Sequence, residues 1–158
     1  MADPIRERIL KVVQFELEQI TTANGFEQDV RRVHRNKESV LQQDQRPALS
    51  IIDRGDLKRR HIRLAYENTM QLEILAFTLQ HTDDKRLEEL ARLHADVEKV
   101  VATHEKWNDG GEDLAHRTFV STLTESQQEV TQPYGTTLTI LTILYRVQEK
   151  NPYALRSI

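Results

Sequence analysis

Residues 57–79 constrain the fold more than any other part of this chain, because apolar and polar side chains alternate along them. The apolar positions are Ile62, Leu64, Tyr66, Met70, Leu72, Ile74 and Ala76, and the polar positions are Arg63, Glu67, Gln71 and Glu73. A period of two predicts strands with one buried face and one solvated face. The polar tripeptide Glu67-Asn68-Thr69 interrupts the pattern, so we expect the chain to reverse there into an antiparallel hairpin. Since the tripeptide lacks Asn-Gly or Asp-Gly, one slightly bent strand is the alternative.

The length and composition of the chain favour one folded domain. A chain of 158 residues is expected to bury roughly 68–70% of its unfolded surface in a single domain that spans residues 1–158. Hydrophobic residues make up 38% and charged residues 30% of the chain, and the hydrophobic residues recur periodically. This balance favours a folded domain with a large hydrated surface, or with polar contacts between subunits, over a disordered chain.

Several classes of site and location are disfavoured by composition. The absence of cysteine excludes disulfides, thiolate metal sites and cysteine nucleophiles. The first ten residues, MADPIRERIL, carry charges where a signal peptide needs an apolar core, and no run approaches about 18 apolar residues. We therefore expect a soluble protein without a membrane partner. The net charge of −3 provides no general attraction to nucleic acid.

Two amphipathic helices are predicted on either side of the strand region. The first begins at Asp3-Pro4, where a capping carboxylate precedes proline, and ends at Asn24-Gly25. The second is capped by Thr82-Asp83-Asp84 and ends before residues 108–111, with Trp107 as a packing anchor. The first apolar face comprises Ile5, Ile9, Val12, Val13, Leu17 and Ile20, and the second Leu87, Leu90, Ala91, His94, Val97, Val101 and His104.

Further strands are predicted at residues 26–34, 47–52, 116–123 and 136–147. The strand at 47–52 is expected to end in a turn at Asp53-Arg54-Gly55. Polar residues 36–46 predict a loop, residues 124–135 a connection, and residues 148–158 a C-terminal tail. This order of elements predicts an α+β fold, in which an antiparallel β-sheet carries two α-helices packed on one face.

Candidate metal-binding and catalytic residues do not converge in the sequence. His94 and His104 lie on one predicted helix with a rise between them of about 15 Å, too far for one ion to bridge. Asp83-Asp84 and Glu88-Glu89 are adjacent pairs, whose side chains point in different directions on a helix. We therefore expect no catalytic, cofactor-binding or metal-binding residues, and we find no glycine-rich phosphate loop.

Two clusters of basic residues remain as candidate sites. The first comprises Arg31, Arg32, His34, Arg35 and Lys37, and the second Arg54, Lys58, Arg59, Arg60, His61 and Arg63. A solvated face, a protein–protein surface and a nucleic-acid contact are the alternatives, in decreasing order of weight. Neither cluster is interleaved with aromatic residues, which disfavours single-stranded nucleic acid. We expect Arg54, Lys58, Arg59 and Arg60 to project from the end of the sheet as a mobile loop that makes assembly contacts.

The chain resembles the tail terminator (tail completion) proteins of long-tailed bacteriophages over residues 4–147. The segments that carry the resemblance are ANGFEQDV, RPALSII, LKRRHIRLAYENTMQLEILAF, KRLEELARLHADVEKVV and GTTLTILTILYRV. In that family the closing strand ends in an aromatic-basic pair, which is Tyr145-Arg146 in this chain.

The resemblance implies a structural protein rather than an enzyme, and it implies no cofactor. It implies a homo-oligomeric ring, usually a hexamer, that assembles in the host cytoplasm and sits at the head–tail junction of the virion. There it ends polymerisation of the tail tube protein and meets the head–tail connector protein, with genomic DNA only passing through the ring lumen. Two alternatives stay open: another phage neck or tail-tube component, or a small α+β ligand-binding protein or enzyme whose site is built from scattered residues.

Overall fold

The described part of the chain forms two helices that lie against one face of a six-stranded sheet. The structure, a computed structural model, describes residues 2–36, 47–78, 83–123 and 136–155. The helices are α1 (Ile5–Glu18) and α2 (Asp83–His104). The strands are β1 (Arg32–Arg35), β2 (Ala48–Ile62), β3 (Ala65–Phe77), β4 (Asn108–Asp109), β5 (Glu112–Asp113), β6 (Arg117–Leu123), β7 (Thr136–Gln148) and β8 (Asn151–Leu155).

The order of strands in the main sheet is β1-β2-β3-β7-β6, and β8 also pairs with β7. All these pairs are antiparallel except β1 with β2, which run parallel. Strands β4 and β5 form a separate two-stranded hairpin. The predicted α+β class, with two helices packed on one face of the sheet, is therefore confirmed, and the prediction of a wholly antiparallel sheet needs this one correction.

Strands β3 and β7 form the centre of the sheet and pair along their whole length, from Ala65 opposite Gln148 to Phe77 opposite Thr136. The even-numbered residues of β3 from Met70 to Ala76 and the odd-numbered residues of β7 from Leu141 to Val147 are buried against the helices. These residues include Met70, Leu72, Ile74, Leu141, Ile143 and Val147. Full burial of each such side chain stabilises the fold by about 1.5–3 kcal/mol. A slip of one residue would instead turn Gln71 and Glu73 towards the helices, so the pattern defines the register.

The reversal predicted at Glu67-Asn68-Thr69 is wrong, because these residues lie inside β3 and pair with β7. The chain reverses instead at Arg63-Leu64, between Ile62 and Ala65, which face each other across β2 and β3. Arg63 and Leu64 have φ angles of 34° and 61°, the sign that a type I′ turn requires at both central residues. Neither residue is glycine or asparagine, the residue types that favour this conformation. The local sequence therefore gave no signal for a turn at Arg63-Leu64.

The turn predicted at Asp53-Arg54-Gly55 is also wrong, since β2 continues through it to Ile62. Two register irregularities, between Asp53 and Asp56 and between Asp56 and Lys58, mark β-bulges in β2. Gly55 has a φ of 85°, and a Cβ atom built on it would meet nothing within 4 Å. Backbone conformation rather than crowding therefore explains glycine at this position.

Helix α1 differs from its prediction at both ends. Its N-cap position is Pro4, and no side chain caps it; Asp3 instead accepts a hydrogen bond of 2.6 Å from Lys11. The helix ends at Glu18, and a 3₁₀ turn over Thr22–Asn24 follows. Gly25 closes that turn in the left-handed conformation, with φ of 86°, so the predicted glycine cap ends the 3₁₀ turn and not the helix.

Helix α2 runs through most of the predicted range. It begins at Asp83, while the predicted capping residue Thr82 lies outside the described residues. The buried side of the helix comprises Leu90, Leu93, Val97, Val100 and Val101. Leu87 was expected on this side but is exposed. The predicted exit at residues 108–111 is the β4–β5 hairpin, which follows the helix by three residues.

Two further predicted segments differ from the structure in the residues that form strands. Of residues 26–34, only the last three belong to a strand, β1, which ends at Arg35. The predicted C-terminal tail at 148–158 is wrong in part, because Asn151–Leu155 form β8 beside β7 and Leu155 packs against the core. The predicted loop at 36–46 lies outside the described residues except for Asn36, and the connection at 124–135 lies wholly outside them.

Trp107 joins the end of α2 to β6 and is fully buried, as predicted for a packing anchor. Its indole Nε1 donates a hydrogen bond of 2.8 Å to Thr118 Oγ1. The Thr118 hydroxyl in turn donates one of 2.7 Å to the Glu105 carbonyl oxygen. One hydroxyl group thus satisfies both a buried indole donor and a carbonyl near the helix end.

The substitution Thr118→Val tests this junction. It keeps the side-chain shape but leaves a buried donor and an acceptor unpaired, so the free energy of unfolding should fall by about 1–3 kcal/mol. Urea denaturation measures the loss. The matched control is Thr142→Val, on the half-buried sheet face away from the helices, which should change stability by no more than about 0.5 kcal/mol. Equal losses in the two variants would contradict the assignment.

Candidate assembly surface

The second basic cluster lies on the half of β2 that begins at the first bulge, with Arg63 in the turn that follows the strand. We call residues 54–63 the basic strand segment. Strand β1 pairs only with Ala48–Ile51, and no other described strand pairs with the outer side of β2. Arg54, Lys58, Arg59 and Arg60 are all exposed, as expected. The expectation of a loop is wrong, because all four belong to β2, which is registered against β3.

On the sheet face away from the helices, two arginines of the segment, Arg54 and Arg60, contact carboxylates of β3. Arg54 Nε donates a hydrogen bond of 2.9 Å to Glu73. Arg60 lies 3.3 Å from Glu67, which also receives hydrogen bonds of 2.9 and 2.8 Å from Arg146. The hydrogen bond from Arg146 is the main cause of the lowered pKa of Glu67. Each of these cations therefore has a cross-strand carboxylate beside it.

The opposite face of the segment is ordered around Tyr66. The Arg59 guanidinium lies 3.8 Å from the centre of the Tyr66 ring, a cation–π distance. The His61 ring meets the same ring edge-on, with centroids 5.4 Å apart. His61 Nε2 lies 3.3 Å from a carboxylate oxygen of Glu149, in the turn between β7 and β8. Basic side chains are thus positioned on both faces of the segment.

A polar cluster holds the start of the segment to α1. Arg6 of α1 donates two hydrogen bonds to the Asp53 carboxylate and one of 3.4 Å to Asp56. The Tyr145 hydroxyl lies 3.3 Å from both carboxylate oxygens of Asp56. The Gly55 N–H donates to Asp53 Oδ1 at 2.9 Å. We call Arg6, Asp53, Asp56 and Tyr145 the bulge anchor, because together they bind the bulged part of β2.

The electrostatics of the bulge anchor follow from these contacts. The hydrogen bonds from Arg6 lower the pKa of Asp53, against the opposing effect of burial. Burial, followed by the charge of Asp56, raises the pKa of the Tyr145 hydroxyl. Sequence reasoning missed this cluster, because Arg6 and Asp53 lie 47 positions apart. The one local signal, Asp53-Arg54-Gly55, was interpreted as a turn.

The first basic cluster is partly neutralised and lies near the bulge anchor. Arg35 donates hydrogen bonds of 2.6 and 3.1 Å to the two carboxylate oxygens of Glu7, on α1. The charge of Arg35 also contributes to lowering the pKa of Asp53. Lys37, the last predicted member, lies outside the described residues. Arg35 is therefore a structural link between β1 and α1.

In the described part of the chain, His94 and His104 each lie beside a single carboxylate. His94 Nε2 lies 3.1 Å from Glu98, and His104 Nε2 lies 3.1 Å from Glu16. Within residues 2–36, 47–78, 83–123 and 136–155, no group of three or more potential ligands is placed to hold a metal ion. Glu88 is exposed whereas Glu89 is buried, so the predicted divergence of this pair is confirmed.

Comparison with protein-family models and with curated proteins finds no match to this chain. Neither helix in the described part of the chain has the apolar length needed to span a bilayer.

The bulge anchor predicts a pH-dependent effect of Asp53→Asn. Because the pKa of Asp53 is lowered in the folded state, its ion pair stabilises the fold fully above about pH 4, the ordinary aspartate pKa. That stabilisation is lost as the pH falls through the lowered pKa. The variant should lose about 1–3 kcal/mol of unfolding free energy at pH 7.

Urea titrations at pH 7 and at successively lower pH measure this difference, which should shrink as the pH falls. The control is Asp109→Asn, which removes a more exposed ion pair with Arg8 and should cost only about 0–1 kcal/mol. A difference between Asp53→Asn and the unmodified protein that stays constant with pH would contradict the role given to Arg6 and Asp53.

Proposed function

We propose that this protein is a structural phage assembly protein that forms a ring on the tail tube, ends its polymerisation and joins the tail to the head-side connector. The observation that carries the proposal is the basic strand segment, an exposed outer strand whose charged side chains are held in place by β3. Exposed strand edges favour association with other chains, and a ring of subunits is one way in which proteins occupy them.

The order of the elements supports the same proposal. Helix α1, the strands β1 to β3, helix α2 and the closing strand β7 follow the order on which the resemblance to tail terminators is based. The aromatic-basic pair at the end of β7 has two separate roles here. Tyr145 is buried and contacts Asp56, whereas Arg146 pairs with Glu67 on the opposite sheet face.

A protein that ends tube growth needs two different surfaces. A tube grows because each ring presents the same heterologous contact to the next ring. The terminating ring binds the exposed end of the tube with one surface, and its opposite surface does not bind a further tube ring. Juxtaposed like charges at an interface can cost several kcal/mol of binding free energy. A surface with the same charge as the tube ring would therefore prevent that ring from binding. The basic strand segment supplies the tube-side or subunit contact in this proposal.

Deleting the gene from the phage tests the function directly. Without a terminating ring, the tube has no defined end and the head has no surface to join, so we expect filled heads without tails together with free tails of abnormal length. Electron microscopy of lysates measures both, and complementation with the unmodified gene is the control. Tails of normal, uniform length that are still joined to heads would refute the proposal.

Replacing Arg54, Lys58, Arg59 and Arg60 together with serine tests the surface. Exposed ion pairs contribute about 0–1 kcal/mol each and an exposed cation–π contact about 0.5–1 kcal/mol, so the fold should survive while infectious titre falls in complementation. The matched control replaces four exposed cations elsewhere, Arg32, Lys85, Arg92 and Lys106, with serine. Equal titres for the two quadruple variants would remove the basic strand segment from the proposal.

A further inference from the structure

The tip of the β2–β3 hairpin combines an exposed apolar residue with a backbone conformation that its residue types disfavour. Arg63 and Leu64 both adopt positive φ angles, which residues other than glycine and asparagine rarely adopt. The Leu64 side chain is 65% exposed. The tip is bound to the turn between β7 and β8, since the Glu149 N–H donates a hydrogen bond of 2.8 Å to the Leu64 carbonyl oxygen. Backbone strain that persists at an exposed apolar residue suggests a functional contact.

A groove in the helical layer of the molecule offers an exposed aromatic residue and several carboxylates. It lies between α1 and the β4–β5 hairpin, has a volume of about 250 Å³, and is lined by Val12, Phe15, Asp3, Glu16 and Asp109 together with Arg8, Lys11 and Asn108. Phe15 is 57% exposed, an unusual state for a phenylalanine beside a groove.

The charges of the groove favour a basic partner. Its cations are engaged by its own carboxylates: Lys11 pairs with Asp3 at 2.6 Å, and Arg8 bridges Asp109 and Glu112 at 2.9 and 3.2 Å. Glu16, the third carboxylate of the lining, lies 3.1 Å from His104 Nε2. The lining therefore contains three carboxylates against one lysine and one arginine, whereas the hairpin tip carries Arg63 next to Leu64. The exposure of both Leu64 and Phe15 shows that the tip and the groove do not cover each other within one chain.

We propose that the hairpin tip of one copy of this protein inserts into the α1 groove of a second copy, with Leu64 against Phe15 and Val12 and with Arg63 near the groove's carboxylates. Because the two surfaces differ, the contact is heterologous, and repeating it generates a ring when the rotation closes. The inference rests on the proposed function, since it supplies the contact between neighbouring subunits of the ring.

The absence of cysteine allows a direct test by cross-linking. Two single-cysteine proteins, Leu64→Cys and Phe15→Cys, are mixed at a concentration at which sedimentation shows association, and are then oxidised mildly. A disulfide requires the two Cβ atoms to lie about 3.5–4.5 Å apart. The control pairs Leu57→Cys with Phe15→Cys, because Leu57 is 60% exposed in the same hairpin but lies on β2, away from the tip.

Mass spectrometry should find about tenfold more disulfide-linked heterodimer for Leu64→Cys than for Leu57→Cys, since docking raises the effective concentration of the thiols. Equal yields would overturn the contact, as would protein that remains monomeric throughout its soluble range. Rings that form without the Leu64–Phe15 cross-link would overturn the contact and leave the proposed function standing. Normal tails in the gene deletion would instead refute the function, whatever the cross-link shows.

A second variant separates binding from folding. Arg63→Asn combined with Leu64→Gly places the favoured Asn-Gly pair in the turn, so the melting temperature should rise while association weakens. A raised melting temperature with unweakened association would overturn the proposal. Cosedimentation of the unmodified protein with phosphatidylserine–phosphatidylcholine vesicles that is lost in Leu64→Ser would assign the tip to a lipid surface, and would overturn it as well.

Discussion

The structure depends on the burial of one face of β3 and β7 beneath the two helices. These strands pair along their full length, so their alternate side chains form one continuous apolar surface from Met70 to Ala76 and from Leu141 to Val147. Helices α1 and α2 each contribute an apolar stripe that covers this surface. Three further strands pair directly with these two: β2 is registered on β3, while β6 and β8 are registered on β7.

The bulges of β2 separate a buried part of the strand from an exposed part. Before them, Leu49 and Ile51 belong to the core beneath the helices. After them, the strand carries exposed basic residues on both faces. Each bulge adds one residue to β2 relative to β3, so the side chains beyond both bulges regain the facing they have before them, and Arg6 binds the bulged part through Asp53 and Asp56. Helix α1 therefore contributes both to the core and to the positioning of the basic strand segment, which connects stability to the proposed assembly surface.

Individual residues show why parts of the fold and site escaped prediction. Glu67-Asn68-Thr69 resembles a turn in its local propensity, but pairing with β7 on one side and β2 on the other keeps it extended. Arg63-Leu64 lacks turn residues, yet the reversal occurs there because the registers of β2 and β3 require it. The bulge anchor depends on Arg6 and Tyr145, which lie far from Asp53 and Asp56 in the chain. No local pattern predicts such a meeting.

The sequence by itself determined the α+β class, the two helices, the burial of Trp107, and the positions of β6 and β7. Periodicity is sufficient for these features, because burying an apolar stripe requires side chains at the spacing of one helix or strand. The sequence also determined that Arg54, Lys58, Arg59 and Arg60 are exposed. Only the tertiary structure decided the place of the hairpin turn, the parallel pairing of β1, the bulges in β2 and the strand β8. These features arise from hydrogen bonds and ion pairs between distant segments, whose free energies exceed the local preferences of the residues involved.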